Sequence, residues 1–327
     1  MSQKGTYKQV RCPYCSAEYR VPATVTYATC PYCGTTFKLA NPEEKIEHYL
    51  FKTIIDKNQA YRLARGFAAQ QIGVAEDVEE NSSFSKAKIY YVPIYIYEIN
   101  ILAPCKEELE ELKKEKEGNE LKLPIHGGEE VEYKLVIATD DLPIPIPPDY
   151  YFPARARIYF KPTILKNGVY LQPTKDPMKV FEEVKQPSLK KAVEEAKISC
   201  PRGYEVIDES KYVGIAHYPF WDITYTYQGK EYRTIVDAAD GTIVYLEYPL
   251  SWKGRVVNFA GGLGTLIGSS IIGGIITYEF MQIPTYGLAG GAIVALPALL
   301  YTAYRLFRFK GIYKFKPGEE AIFLPVR

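Results

Sequence analysis

The chain has few of the residues on which enzymes most often depend. Its 327 residues include three histidines, two tryptophans and three methionines. Histidine is the commonest general base at neutral pH, so its scarcity argues against acid–base catalysis. The sequence also lacks a G-x-x-x-x-G-K-[ST] phosphate loop, a G-x-S-x-G or H-E-x-x-H motif, and a dinucleotide-binding glycine fingerprint. These absences predict a protein without enzymatic activity.

The net charge, the first residues and the tyrosine content further narrow the class of protein that the sequence can encode. The formal net charge is +1, so nothing global points to nucleic acid. The first ten residues, MSQKGTYKQV, contain no apolar core, which predicts no cleaved secretory signal peptide. Tyrosine, by contrast, is abundant at 29 residues, and it suits half-buried strands and membrane interfaces. We therefore expect the soluble part of the protein to be rich in β-strands.

Four of the six cysteines form two CPYC motifs separated by fourteen residues: Cys12, Cys15, Cys30 and Cys33. Two CxxC pairs at this spacing are a strong zinc signature, because each pair forms a tight turn and the pairs meet in a closed tetrahedral site. About 30 residues cannot build an independent hydrophobic core, so we expect a structural Zn²⁺ to stabilise this segment as a zinc ribbon. The alternatives are two disulfides or a redox pair, but no strand–CxxC–helix context is present.

Several helices and strands are predicted from apolar periodicity and capping residues. Helices are expected from Asn41, from Asn58 to Gln71, and from Pro187 to Ala196 with Ser188 as its cap. Strands are expected at Lys88–Ile101, Val131–Ala138, Ala154–Tyr170 with a hairpin turn at Asn167-Gly168, Tyr212–His217, Phe220–Tyr227, Tyr232–Asp237 and Thr242–Tyr248.

The same pattern of predicted secondary structure occurs twice along the chain. NQAYRLARGFAAQQIGVAEDV precedes KIYYVPIYIYEIN, and LKKAVEEAKISCPRGYEVIDE precedes GIAHYPFWDITYTY. Each is a helix, a polar connection and an aromatic strand with a proline, and Pro93 corresponds to Pro219. This pattern predicts a duplicated module of a helix packed on a small antiparallel sheet.

The order of these motifs along the chain resembles that of a known group of proteins. The order of the cysteine quartet, YYVPIYIYEI, HYPFWDITYTYQGKEYRTIVDAADGTIV and a terminal hydrophobic hairpin is similar to a broad group of uncharacterised zinc-ribbon membrane proteins. The segment around Tyr218–Trp221, Gly229–Tyr232 and Asp237…Gly241 also resembles PepSY-type modules. The resemblance implies architecture more than function, and its one sharply specific motif is the cysteine quartet.

For most of the other candidate residues, the sequence context predicts a structural role. His48, His126 and His217 are expected to be structural. Asp140-Asp141 and the pair Asp237 and Asp240 are expected to support turns. Cys105 and Cys200 are either buried small hydrophobes or a disulfide. An aromatic cluster is either the sheet core or a platform for bases or peptides, and consists of Tyr90, Tyr91, Tyr95, Tyr97, Phe220, Trp221 and Tyr225.

Two uncharged apolar runs lie near the end of the chain, at Val256–Tyr278 and Tyr286–Tyr304. Each is long enough, or nearly so, for a hydrocarbon core of about 30 Å. They predict a two-helix transmembrane hairpin, and the alternative is a pair of buried helices in a soluble domain. Basic residues flank both outer ends, so the positive-inside rule places both termini in the cytoplasm. Small residues at four-residue spacing could pack the hairpin or join copies of the chain, and include Gly264, Gly268, Gly287 and Gly291.

We therefore expect an α+β protein in five segments. They are a zinc ribbon at 1–40, a first α+β half with a strand-rich insertion at 41–186, a PepSY-like second half at 187–250, a transmembrane helical hairpin at 251–310 and a cytoplasmic tail at 311–327.

The leading functional hypothesis is an adapter in the cytoplasmic membrane that faces the cytoplasm, binds a protein partner and has no catalytic activity. The second is a nucleic-acid- or ribosome-tethering membrane protein that uses basic residues around the ribbon, namely Lys4, Lys8, Arg11, Arg20 and Lys38. The third is a non-catalytic subunit of a membrane enzyme or transporter complex. The identity of the partner and the oligomeric state are not predicted.

Overall fold

The structure is a computed structural model that describes residues 7–23, 25–43, 45–107, 109, 127–153, 157–281, 284–306 and 309–316. The helices are α1 Lys57–Ala69, α2 Val78–Asn81, α3 Pro177–Ser199, α4 Trp252–Met281 and α5 Pro284–Leu306. The strands are β1 Tyr7–Arg11, β2 Glu18–Pro22, β3 Tyr27–Thr29, β4 Thr36–Lys38, β5 Lys45–Ile46, β6 His48–Phe51, β7 Ser83–Ala103, β8 Gly128–Ile137, β9 Arg157–Tyr159, β10 Val169–Tyr170, β11 Ile207–Asp208, β12 Lys211–Tyr227, β13 Lys230–Asp237, β14 Ile243–Pro249 and β15 Lys310–Lys314.

The chain divides into two units. The first unit comprises residues 1–54, 89–143 and 148–220, and the second comprises 55–88, 144–147 and 221–327. Two boundaries fall within the long strands β7 and β12, so each strand contributes residues to both units. The mixed α+β class expected from the sequence is present.

The first unit is built on the aromatic part of β7. Residues 89–97 of this strand are all buried, as expected of a strand covered on both faces. β8 pairs with β7 in antiparallel register from Ile94↔Ile137 to Ala103↔Gly128, and the short β10 pairs with it in parallel. β6 lies between β12, in parallel, and β9, in antiparallel register. Two small sheets hold the cysteine motifs. The first motif lies between β1 and β2 of one sheet, and the second lies between β3 and β4 of the sheet β3-β4-β5.

Three local predictions in this unit are wrong. The segment after Asn41 forms β5 and β6 rather than a helix, because its apolar side chains are buried between paired strands. The Asn167-Gly168 hairpin is absent, because β9 pairs with β6 and β10 pairs with β7. Tyr212–His217 and Phe220–Tyr227 are one continuous strand, β12.

Helix α3 begins ten residues earlier than the predicted Pro187. The Asp176 carboxylate accepts hydrogen bonds from the backbone N–H groups of Met178 and Lys179, and Pro177 occupies the first turn. The predicted cap, Ser188, is instead a buried mid-helix residue whose hydroxyl donates to the Glu132 carboxylate at 2.7 Å. The stronger Asp-Pro signal therefore decides where the helix starts.

A disulfide joins Cys105, which follows β7, to Cys200, which ends α3. Both residues are buried in the cluster that α3 forms with β7, so the alternative of two free cysteines is wrong. The bond closes a loop with a sequence separation of 95 residues. A cross-link of this loop length restricts the unfolded chain substantially.

Replacing both cysteines by alanine, Cys105→Ala with Cys200→Ala, is expected to lower the free energy of unfolding of the first unit by about 2–4 kcal/mol. Denaturant titration followed by circular dichroism measures the change. Wild-type protein treated with a reductant should lose a similar amount, which separates the cross-link from the packing of the two side chains. An unchanged unfolding midpoint in both samples would contradict this assignment.

The second unit packs α1 on an antiparallel sheet. The Asp56 carboxylate and the Gln59 side chain form a capping box at the start of α1, and Ala60, Ala64 and Ala68 are buried against the sheet. The predicted helix at 58–71 and strands at 232–237 and 242–248 are confirmed with small shifts in their bounds. β15 pairs with β14, so residues 311–314 of the predicted tail belong to this sheet.

The helix-then-long-strand order occurs twice, as α1 before β7 and α3 before β12. The prolines that the sequence pattern equates, Pro93 and Pro219, both lie inside these long strands. A duplicated origin of the two halves stays a prediction.

Helices α4 and α5 pack closely on each other. A Cβ atom at Gly287 or Gly291 would collide with the backbone of Gly273 or Ser269, so glycine is required for this approach. Gly264 and Gly268 have open space around them. The small residues of α5 are thus used within the chain, which is one of the two roles expected of them.

Among the described residues, one helix is long and apolar enough to cross a membrane: Trp252–Glu279 of α4. Its 28 residues span about 42 Å, more than the hydrocarbon core of about 30 Å. Only 11% of its most apolar stretch is buried. The second span of the predicted hairpin, in α5, is a helix that does not meet the same criterion within the described residues.

Candidate metal centre

The two CPYC motifs bring four sulfur atoms together. The ligand atoms of Cys12, Cys15, Cys30 and Cys33 all lie within 4.8 Å of one another. Cys12 Sγ is 3.7 Å from Cys33 Sγ, and Cys15 Sγ is 3.5 Å from Cys30 Sγ. The four cysteines could therefore hold one metal ion.

Each motif forms the same backbone turn. The Ser16 N–H donates to the Cys12 carbonyl and the Gly34 N–H donates to the Cys30 carbonyl, both at 2.9 Å. Ser16 and Gly34 have positive φ angles of 61° and 79°, which reverse the chain after the second cysteine of each pair. These two turns place a buried and an exposed cysteine from each motif around one point.

The cluster fits a tetrahedral ion. With a Zn–S distance of about 2.3 Å, a regular tetrahedron has sulfur–sulfur edges of about 3.8 Å. The two short distances above are close to that value, and all four sulfur atoms lie within 4.8 Å of one another. Four thiolates fill four positions, so such a site leaves none open for a substrate or water.

The buried cysteines Cys12 and Cys30 have a different environment from the exposed Cys33. Burial raises the pKa of the Cys12 and Cys30 thiols, that of Cys30 to about 12. Burial acts in the same direction on Cys33, but hydrogen bonding with Thr35 and with neighbouring thiols outweighs it and holds the Cys33 pKa at about 7. A bound divalent cation would keep all four groups as thiolates, so metal affinity falls as the pH falls.

A buried chain of hydrogen bonds starts beside the second cysteine motif. Thr29 Oγ1 lies 2.9 Å from Thr36 Oγ1, which is 2.7 Å from His48 Nδ1. His48 Nε2 lies 2.8 Å from His217 Nδ1, and His217 Nε2 lies 2.9 Å from the Leu171 carbonyl. We call these five residues the histidine relay. It ties β3 and β4, which flank Cys30 and Cys33, to β6 and β12 of the main sheet.

The carbonyl at the end of the histidine relay fixes every proton in it. The Leu171 carbonyl can only accept, so His217 Nε2 carries a hydrogen and its Nδ1 accepts from His48 Nε2–H. His48 Nδ1 then accepts from the Thr36 hydroxyl. Both imidazoles are neutral, because burial lowers the pKa of His217 to about 3 and that of His48 well below its ordinary value.

Acid is expected to destabilise the first unit through His217. The pKa of this residue is about 6.5 when unfolded and about 3 when folded, so its contribution is complete above pH 6.5 and is lost as the pH falls towards 3. Within that range the free energy of unfolding should fall by about 1.4 kcal/mol per pH unit. His217→Gln keeps one donor and one acceptor without titrating, so its unfolding free energy should fall less steeply by that amount.

Denaturant titrations of both proteins at several pH values measure the difference in slope. Protonation of the cysteines and metal release occur in wild type and variant alike, so the difference isolates the histidine. Equal slopes would contradict the neutral, buried assignment of His217.

The positions of these histidines were predicted only in part. His48 lies on strand β6 rather than on the helix expected from Asn41, and both His48 and His217 are buried and hydrogen-bonded. His126 lies outside the described residues. No local signal links His48 to His217, because 169 residues separate them.

The other candidates also have structural surroundings. Asp140 pairs with Lys175 at 3.5 Å, and Asp237 accepts the Ala239 N–H within its hairpin turn. The members of the aromatic cluster are buried in the sheet cores, apart from the partly buried Trp221, whose indole donates to the Ile55 carbonyl. The burial of these side chains agrees with the core interpretation of this cluster.

No family model, curated protein or solved structure matches this chain.

Proposed function

We propose that the protein is a membrane-anchored zinc-ribbon adapter without catalytic activity. In this proposal Zn²⁺, bound by the four cysteines, is structural, α4 and α5 form a transmembrane hairpin, and the ribbon binds a protein partner. The observation that carries the proposal is the closed four-sulfur cluster, since a site with four protein ligands supports a fold and has no position for a substrate.

The surface of the ribbon supports the choice of a protein partner. The third residue of each CPYC motif is an exposed tyrosine, with 49% of Tyr14 and 67% of Tyr32 accessible. Tyrosine is enriched in the centres of protein interfaces because its ring buries a large area at a small entropic cost. Two such rings, held on metal-stabilised turns, form a compact contact surface.

The outward apolar side chains of α4 support the membrane anchor. Exposed isoleucines cover one outward side of the helix at Ile267, Ile271, Ile272, Ile275 and Ile276. A helix in water normally hides one apolar face, whereas a helix in lipid can be apolar all round.

Affinity purification from detergent-solubilised native membranes, with and without nuclease, tests the adapter function. We expect wild-type protein to retain one protein partner in both conditions and at high salt. Tyr14→Ala with Tyr32→Ala should lose the partner and keep its metal. Tyr151→Ala is a matched control, because Tyr151 is 72% exposed in a different part of the first unit. Retention of the partner by the double variant would refute the proposed surface.

Nucleic-acid tethering is the second candidate. Arg11 and Arg20 are exposed on β1 and β2, and neither forms an ion pair within the described part of the chain. Lys8 is less available, because its ammonium group donates to the Ala23 and Val25 carbonyls. Loss of all captured material on nuclease treatment, with a steep dependence on salt, would favour this function over the adapter.

The proposed orientation places both termini in the cytoplasm, following the basic residues that flank the hairpin. One observation favours the opposite orientation, because disulfides such as Cys105–Cys200 are rare in reducing compartments outside hyperthermophiles. Protease added to sealed vesicles of native orientation decides between them. Protection of the region before Trp252 until the vesicles are lysed supports the cytoplasmic orientation, and its digestion in intact vesicles overturns it.

A further inference from the structure

A cluster of cations and aromatic rings surrounds the first turn of α4. Lys230 Nζ lies 3.5 Å from the centre of the Phe309 ring, and the Arg255 guanidinium lies 4.8 Å from the same ring. The Arg255 guanidinium also lies 5.1 Å from the Trp252 ring. We call these four residues the collar. They come from the first residue of β13, the start of α4 and the residue before β15, so the fold of the second unit brings them together.

The two cations of the collar are unpaired among the residues that the structure describes. Neither Lys230 nor Arg255 forms a salt bridge there, and Arg255 Nε is enclosed without a hydrogen-bond partner. Two positive charges on one ring repel each other, and a π face neutralises neither. An anion that contacts both would remove this repulsion.

The carboxylates near the collar already have partners. Glu76 pairs with Lys253 at 3.0 Å and Glu247 pairs with Lys310 at 2.8 Å. The collar therefore keeps a net positive charge within the described residues. Its complement is an anion that these two described carboxylates do not supply.

The position of the collar indicates which anion. Trp252 is 64% exposed and Phe309 is 50% exposed, and the apolar part of α4 begins directly afterwards at Val256. Exposed aromatic rings beside a basic pair at the end of a lipid-facing helix are typical of the headgroup layer. A headgroup phosphate would lie at this level, where Arg and Lys can both donate to its oxygens.

We propose that the collar binds the phosphate of an anionic phospholipid, with Lys230 and Arg255 as donors and the two rings among the glycerol and upper acyl groups. This inference rests on the proposed membrane anchor. It assigns the β12–β13 hairpin tip, which the sequence places in the soluble module, to the membrane surface.

The test uses the full chain in detergent, titrated separately with phosphatidylglycerol and phosphatidylcholine and observed by native mass spectrometry. We expect wild-type protein to bind phosphatidylglycerol more tightly, and Lys230→Gln with Arg255→Gln to lose about 30-fold in that preference, or about fivefold per cation. Lys57→Gln with Arg62→Gln removes the same charge from exposed positions on α1 and should keep the preference. Millimolar inorganic phosphate should not displace the lipid.

The outcomes separate this inference from the anchor. Equal binding of the two lipids by a wild-type chain that resists carbonate extraction from membranes overturns the collar site alone. Displacement by inorganic phosphate shows a soluble-anion site and also overturns it. A wild-type chain that carbonate releases overturns both proposals. Metal content and circular dichroism of the variants confirm that a lost preference comes from a folded protein, and a second variant, Lys230→Arg, should retain the preference.

Discussion

Replacing Cys12 and Cys30 by serine is expected to abolish metal binding and unfold the ribbon. These cysteines come from different motifs and are almost fully buried, at 1% and 0% exposure, so the double variant removes the inner half of the cluster. The small cluster around them, which includes Val21, Val25 and Phe37, is too limited to hold the segment alone. Structural zinc supplies about 10–16 kcal/mol in comparable peptides, which is far more than this cluster can replace.

Elemental analysis of the purified chain measures the first effect, and we expect about one zinc per chain in wild type and almost none in the variant. Histidine NMR measures the second, because loss of Thr36 from the histidine relay should expose His48 and His217 and raise their pKa values towards about 6.5. Cys105→Ala with Cys200→Ala is the control and should keep its zinc. Unchanged metal content after Cys12→Ser with Cys30→Ser would rule out this centre.

The four-cysteine cluster was predictable from the sequence because its geometry is local. Each motif is a four-residue turn that fixes its own two sulfurs, and the fourteen-residue spacing leaves few ways to bring the turns together. The disulfide was left open for the opposite reason. Cys105 and Cys200 meet only after α3 has packed on β7, which no spacing rule contains.

The histidine relay is a second feature that could not be predicted from the sequence. His48 was assigned to a helix because Asn41-Pro42-Glu43-Glu44 resembles a helix start. In the fold its strand pairs with β12 and β9, and the burial gained there outweighs the local preference. A neutral histidine pair depends on two strands that are distant in sequence, so neither residue carries a signal of the other.

The length of strand β12 also differs from the prediction, because burial again outweighs a local preference. Two separate strands were predicted, at Tyr212–His217 and Phe220–Tyr227, but β12 is continuous through Pro219. Proline lacks one donor, and the buried aromatic residues on both sides of Pro219 hold the strand extended. The turn between β12 and β13, in contrast, is local, and its residues Gln228 and Gly229 have positive φ angles of 48° and 72°.

Two lysines in the middle of α4 are expected to remove the chain from the membrane. Ile271 and Ile275 are 52% and 59% exposed and lie one turn apart, so Ile271→Lys with Ile275→Lys places two charges on one outward face. Each lysine at the centre of a transmembrane helix costs about 2.5–3.5 kcal/mol on insertion scales. The pair should therefore shift insertion by a factor of about 10⁴, since about 1.4 kcal/mol is tenfold.

Carbonate extraction of membranes, followed by immunoblotting of pellet and supernatant, measures this change. We expect the wild-type chain in the pellet and the variant in the supernatant or in aggregates without lipid. Val256→Lys with Val257→Lys is the matched control, because these residues lie beside Lys253 and Arg255 at the helix start, where a lysine can extend to the headgroups. The control should stay in the pellet. Retention of the Ile271→Lys, Ile275→Lys chain in the pellet would mean that this face of α4 does not contact hydrocarbon, and the exposed isoleucines would then require a protein surface to cover them.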